Sequence, residues 1–215
     1  MTKVFCISIL LALTTIACSA PKTTTMTTAK SGELSFIMAG TGSFTIDWGD
    51  GSKIEKGMLK EKTHEGWKGN DFVEYSFKHE YSGSSLRTIA ITSENITHLQ
   101  ISNIGVTSVD VSANTALIEL GCNSNQLTVL NLTKNPALMT LDCGNNLLKD
   151  LDVSKNPALK WLYCADNEFT SDALDALFKM LPKTDDGSIY PNGNPGWKNC
   201  NKSIAEDKGW KVWNF

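Results

Sequence analysis

The sequence predicts a mainly β chain with some α: a short solenoid of 21-residue turns, preceded by a small β-sandwich-like domain and closed by a C-terminal helical cap. Three observations carry that prediction. Cys122, Cys143 and Cys164 recur at a spacing of 21, and whole columns of apolar residues recur with them. Upstream, residues 33–93 alternate apolar and polar in short runs such as Phe44-Thr45-Ile46, broken by turn residues. Downstream, Leu174, Leu177, Phe178 and Leu181 fall at helical spacing.

Composition bounds the rest. The chain has 215 residues, 20 Lys+Arg against 23 Asp+Glu, 41% hydrophobic residues, and six each of Cys and Trp. That length suits one or two compact domains with a real core. A mean hydropathy of -0.17 is ordinary for a folded soluble body, which excludes general disorder. A net charge of -3 and a pI near 5.6 exclude the clustered basic surface of a nucleic-acid binder.

Residues 1–18 come first in chain order. Lys3 precedes an apolar run from Val4 to Leu13 and then small residues, the layout of a secretory signal too short to span a bilayer with its flanks. Thr15-Ile16-Ala17-Cys18 resembles the lipobox of bacterial lipoproteins. The resemblance implies that Cys18 is the lipidation site and that the membrane is reached by a lipid anchor only. Plain cleavage near Ala20, discarding Cys18, is the alternative. In Gram-negative lipoproteins a Ser after the Cys, here Ser19, implies an exported, outer-membrane-anchored protein. The periplasmic and the surface-facing leaflet both stay open. Residues 19–32, rich in Thr, Ser and Lys without periodicity, read as a flexible tether.

Residues 33–93 form the β-domain of this reading. Asp47-Trp48-Gly49-Asp50-Gly51-Ser52 is a turn signature, followed at a distance by His79-Glu80-Tyr81. Together they resemble the W-x-F-G-D-G-S and H-x-Y pieces of PKD-type immunoglobulin-like domains. The resemblance implies a small β-sandwich that also caps the first repeat, with Gly57 to Asp71 as a long loop. Asp47 and Asp50 lack the spacing of a calcium loop, so a tight turn held by Asp side chains is expected.

Residues 94–170 carry the repeats. Leu117, Leu138 and Leu159 agree, as do Leu120, Leu141 and Leu162, and Asn125, Asn146 and Asn167. Ile96, Leu99, Ile101, Val106 and Val111 continue the columns upstream, with Ile104 in the Asn place. The template L-x-x-L-x-C-x-x-N-x-L-x-x-L resembles a leucine-rich repeat, and the segment Leu151 to Leu159 resembles the short repeats of Bacteroidetes secreted proteins. Each turn then places one short strand on the inner face, with its Leu and Cys in a shared core. The recurrent Asn bonds backbone groups of neighbouring turns. Stacked turns lie about 5 Å apart, so three thiols in file are too extended to wrap one tetrahedral metal ion. Parallel in-register cysteines also fit disulfide geometry poorly, which leaves buried free thiols.

Residues 171–215 are the expected cap. Ser171 serves as N-cap of a helix that Pro182 stops, Ile189-Tyr190 form a short strand, and Ser203 to Trp210 make one more helical turn. Trp197, Trp210 and Trp213 are assigned to cap core.

No nucleophile, metal or phosphate-loop motif is recognisable, so the expectation is a non-enzymatic protein with no cofactor and no metal. What remains is surface. The x positions of each strand face the concave side, in columns His98, Glu119, Thr140, Trp161 and Gln100, Gly121, Asp142, Tyr163. The candidate ligand-binding residues are His98, Gln100, Glu119, Asp142, Trp161 and Tyr163, with a protein or a glycan as partner. The rival for Trp161 and Tyr163 is packing against the C-terminal cap. The rival for the whole is a structural or accessory envelope protein, whose β-domain binds a partner and whose repeats act as spacer.

Overall fold

The structure is a computed structural model that describes residues 22–62 and 76–214. The reading of Cys18 and of residues 1–18 lies outside these, as does most of the Gly57–Asp71 loop. Among the described residues one open, mainly β sheet runs through the molecule, and no helix is long and apolar enough to cross a membrane.

The N-terminal strands are β1 (Lys22–Thr28), β2 (Gly32–Asp47), β3 (Glu55–Met58), β4 (Ser76–Tyr81) and β5 (Arg87–Gln100). The tether expected over 19–32 is corrected here. Its residues 22–28 are a strand, paired with Arg87–Ser93 of β5 on one side and with β6 (Val106–Asp110) on the other. The Thr run is polar in composition but β-branched, and it suits a half-buried pleated surface. Thr24, Met26 and Thr28 point inward, and the Thr28 hydroxyl donates to Ile104 O at 2.9 Å, so the buried oxygen has a partner. Outward, Thr23 pairs with Thr92 across the strands at 3.2 Å.

The boundary between 93 and 94 is corrected as well. It falls inside β5, an unbroken run whose C-terminal half, Ile96 to Gln100, is the strand of the first repeat. Nothing in Arg87–Gln100 punctuates the strand, because it contains neither Gly nor Pro. A single apolar core accordingly extends from Met26 and Leu34 to Trp210, without a break between β-domain and repeats. β2 bends at Gly40 and Gly42, where its pairing with β5 shifts register. A Cβ at Gly40 would stand 1.9 Å from Asn95 O, so only glycine permits that approach. The bend folds the two halves of β2 onto each other, bringing Phe36 and Trp48 to 5.5 Å between ring centroids. Asp47 and Asp50 hold the tight turn as expected, accepting from Gly49 N at 2.9 Å and Ser52 N at 3.0 Å.

The repeats stack as parallel strands in register: β5, β7 (Glu119–Gly121), β8 (Thr140–Asp142) and β9 (Trp161–Tyr163). Residues 37–41 of β2 cover the free edge of the first of these strands. The strands are short, yet each turn is pinned by a buried amide. Asn146 Nδ2 donates to Cys122 O at 3.0 Å in the previous turn and to Cys143 O at 3.1 Å in its own, while its Oδ1 accepts from Leu127 N at 3.0 Å. Asn125 and Asn167 do the same one turn away. Just before each stands a residue in the left-handed region, Ser124, Asn145 or Asp166, which turns the chain into the loop. A second file of amides pins the return bend: Asn156 Nδ2 donates to Leu132 O and Asn135 O, and Asn135 Nδ2 to Val111 O and Asn114 O. Asn114 completes that file against the Thr24 hydroxyl of β1. Cys122, Cys143 and Cys164 are free and fully buried, and burial pushes their thiols well above the ordinary range.

The C-terminal region differs most from expectation. Helix α1 (Ser171–Met180) does bury Leu174, Leu177 and Phe178, but it does not end the stack. Its N-cap is Thr170, whose hydroxyl accepts from Ala173 N at 3.2 Å; Ser171 is already the first helical residue. Two more parallel strands follow, β10 (Gly187–Tyr190) and β11 (Trp210–Val212), separated by α2 (Ser203–Glu206). α1 and α2 are thus crossovers between neighbouring parallel strands, and the solenoid continues by two turns. Asn194 occupies the ladder position in the first of them, with Nδ2 donating to Cys164 O at 2.9 Å and to Pro191 O at 2.9 Å.

Replacing Asn146 with Ala strands Leu127 N in the interior and leaves Cys122 O and Cys143 O with one amide donor each, from Asn125 and Asn167. The expected cost is about 2 kcal/mol or more by urea unfolding, against less than about 0.5 kcal/mol for exposed Lys134→Ala. Iodoacetamide followed by peptide mass spectrometry should leave Cys122, Cys143 and Cys164 unmodified in the native protein and alkylate all three in urea.

Candidate functional site

The concave face is built by the x positions of six parallel strand segments, because Leu99, Leu120, Leu141, Leu162 and Ile189 turn the opposite way into the core. Register sets its columns. One runs His98, Glu119, Thr140, Trp161, Ser188, Lys211; the next runs Gln100, Gly121, Asp142, Tyr163, Tyr190. All six residues singled out from the sequence stand on this face. The structure divides them into two environments.

His98, Gln100 and Glu119 lie under the chain's own segment 59–62. Leu59 N donates to Gly42 O at 2.8 Å, Gly40 N donates to Lys60 O at 2.9 Å, and Leu59 is buried. Lys62 Nζ then reaches Glu119 Oε2 at 2.5 Å, while Gln100 Nε2 donates to Glu119 Oε1 at 2.7 Å. His98 sits against the Thr97 hydroxyl at 2.9 Å. Burial, with the Lys62 charge adding to it and Glu119 opposing, brings the His98 pKa down to about 4. The part played by Lys62 is invisible from sequence, since nothing in its neighbourhood marks the chain as crossing to the repeats.

Trp161 and Tyr163 are open, and Asp142 beside them is half-buried. Trp161 and Tyr163 are each 37% exposed, so the expected rival, packing on a cap, does not cover them; α1 packs its apolar face into the core. Tyr163 stacks on Tyr190 with centroids 4.5 Å apart and planes 11° off parallel, and Tyr190 stacks on Trp213 at 6.1 Å and 9°. In-register parallel strands about 4.8 Å apart impose this file. Trp213, assigned to cap core from sequence, is a member of the file and 37% exposed, whereas Trp197 and Trp210 are buried. Tyr190 and Trp213 are the site residues that sequence reasoning missed. A signal exists: Ser188-Ile189-Tyr190-Pro191-Asn192-Gly193-Asn194 has the layout of Trp161-Leu162-Tyr163-Cys164-Ala165-Asp166-Asn167, displaced by 27 residues instead of 21.

Asp142 is half-buried beside this file. Its Oδ1 accepts from Gly144 N at 3.2 Å, which only partly offsets the burial that raises its carboxyl above the usual range. Burial also raises the Tyr163 hydroxyl, followed by Tyr190 beside it and the Asp142 charge. On the other side of Asp142 is Gly121, over which the Gln100 amide lies; a Cβ on Gly121 would meet Gln100 Oε1 at 1.6 Å.

No family model matches the chain, and no curated protein matches it. Among solved structures, the functional domain of InlJ from Listeria monocytogenes, described as including a cysteine ladder, is similar at 36% identity. The match spans 35% of this chain and 17% of that one, with a TM-score of 0.34. The middle of the chain is a stack of 21-residue turns whose short parallel strands lie in register, as its strand registers and sequence columns show.

A His98 pKa lowered from 6.5 to about 4 means that the unfolded chain takes up the proton first as pH falls. The contribution is therefore present above pH 6.5 and is lost progressively down to pH 4. Asp142, shifted upward, acts in the opposite direction at the acid end. In His98→Gln the urea midpoint should fall less between those two pH values than in wild type.

Proposed function

We propose that this is a non-enzymatic recognition module of a cell-envelope lipoprotein, binding a protein through the open C-terminal half of its concave face. One observation carries the reading: Trp161, Tyr163, Tyr190 and Trp213 stand together on that face, and Trp161 and Tyr163 are each 37% exposed. Large, rigid aromatics are the residues on which binding energy concentrates. A protein fits better than a glycan because Tyr190 has both ring faces occupied by its neighbours. What that ring offers outward is its edge and hydroxyl, whereas sugar stacking needs a free face.

The envelope placement rests on the sequence alone. The Thr15–Cys18 lipobox supports lipidation at Cys18, and Ser19 supports outer-membrane delivery, within the resemblance to Bacteroidetes repeat lipoproteins. The DWGDGS turn and the His79–Tyr81 segment support a PKD-like ancestry for the N-terminal strands. Trp48 and His79 stack at 4.8 Å there, and Tyr81 Oη donates to Trp48 O at 2.7 Å.

The second reading, an accessory envelope protein, is favoured by the small free area. The concave strands β7, β8 and β9 are three residues long, and His98 of β5 and Glu119 of β7 lie under segment 59–62. Affinity capture from solubilised envelope, beside a glycan array, separates the readings. Wild type is expected to hold a protein that a folded Trp161→Ala, Tyr163→Ala double variant releases by at least about tenfold. A partner held equally by both proteins favours the accessory reading, and a glycan hit lost in the variant reassigns the ligand class.

A further inference from the structure

The aromatic file stops one turn short of where register would continue it, and the place left is occupied by a carboxylate. Asp142 is the Cα partner of Tyr163 on one side and of Gly121 on the other. Tyr163 gives one ring face to Tyr190, so its other face is directed along the stack toward the turn of Asp142. Gly121 has no side chain to fill the position beyond, and the planar amide of Gln100 closes it from above. Gly144, two residues past Asp142 and beyond the end of β8, adds no side chain here and donates its N–H to Asp142 Oδ1. Asp142 is thus flanked by the Tyr163 ring in the next turn and by the Gln100 amide over Gly121 in the turn before, and this place is the notch.

No cationic side chain lies against Asp142 among the described residues. Of the cations on this face, Lys62 is held by Glu119 one turn upstream and Lys211 stands three strands downstream. The notch therefore combines a partly desolvated, unneutralised anion with a π face. Resting on the concave-face reading above, we propose that the notch receives an arginine side chain of a protein partner. Its guanidinium would add the next plane to the file, over Tyr163 and bonded to Asp142. A guanidinium suits this place better than an ammonium because it is planar, stacks on aromatic faces and meets a carboxylate with two parallel N–H groups. Charge complementarity agrees: the chain is acidic overall, at -3, and the carboxylate desolvated in the free protein regains a partner on binding.

The test uses synthetic peptides and the intact protein. The probe is an acetylated, amidated (Gly-Arg)3 peptide, with citrulline and lysine versions as neutral and non-planar controls. It is titrated while the amide resonances of Gly121 and Gly144 and the Trp161 indole N–H are followed. Wild type should show saturable shifts at these positions, with the arginine peptide binding at least about tenfold tighter than the citrulline peptide and several-fold tighter than the lysine peptide. Asp142→Asn should lose that preference while keeping or raising the melting temperature, because a half-buried unpaired charge is removed and Gly144 N keeps an acceptor. Asp150→Asn, an exposed carboxylate off the concave strands, should bind as wild type does, which separates the notch from general acidity.

Equal binding of arginine and citrulline peptides, or full affinity in Asp142→Asn, overturns the proposal. If a captured partner is lost in Trp161→Ala, Tyr163→Ala but kept in Asp142→Asn, the notch is wrong and the concave-face reading stands. If neither variant loses the partner, the concave-face reading itself fails.

Discussion

A buried asparagine amide that bonds two turns at once is the interaction on which this architecture depends. The repeat strands β7, β8 and β9 span only three residues each, too few for a ladder of backbone hydrogen bonds to hold a turn in place. The amide supplies the difference, tying the carbonyl ending one strand to the corresponding carbonyl of the turn before. It can do so only where the preceding residue adopts a left-handed conformation, which Ser124, Asn145, Asp166 and Gly193 provide. The ladder continues at Asn194 although the turn leading to it is six residues longer and carries a helix. The bend, rather than the length of the excursion between bends, is what the fold repeats.

Strict repetition of the bend has a chemical consequence. Because turns superpose in register, side chains at equal positions must stack on their own kind or on whatever the next turn supplies. In the core this makes a file of thiols, raised by burial beyond the reach of ordinary nucleophilic chemistry. On the concave face it makes the tyrosine–tyrosine–tryptophan file, and then the abrupt change from ring to carboxylate at Asp142. A feature that breaks the repetition is thereby displayed against a regular background.

The N-terminal strands modify that surface as well as ending it. β2 pairs with the first repeat strand and covers its edge, and the segment after β3 continues over the concave side to set Lys62 on Glu119. The two halves of the concave face thus differ in kind. The upstream half is an internal polar contact with a neutral histidine, and the downstream half is aromatic and open.

Periodicity alone specifies the repeat, its strands, the inward Leu and Cys columns, the bonding role of the Asn column and the identity of the concave residues. A parallel stack in register converts a sequence period directly into spatial position. Long-range packing settles what the period does not contain. The threonine-rich composition of residues 22–28 misleads because a strand buried against β5 and β6 depends on partners some seventy residues away, not on local pattern. The last two turns are hidden because a helix in the crossover stretches the period, though the short motif before Asn194 survives. Whether His98 and Trp161 are covered or open is likewise not a local property: it depends on where the 59–62 segment and α1 come to lie, and only contacts distant in the chain fix that.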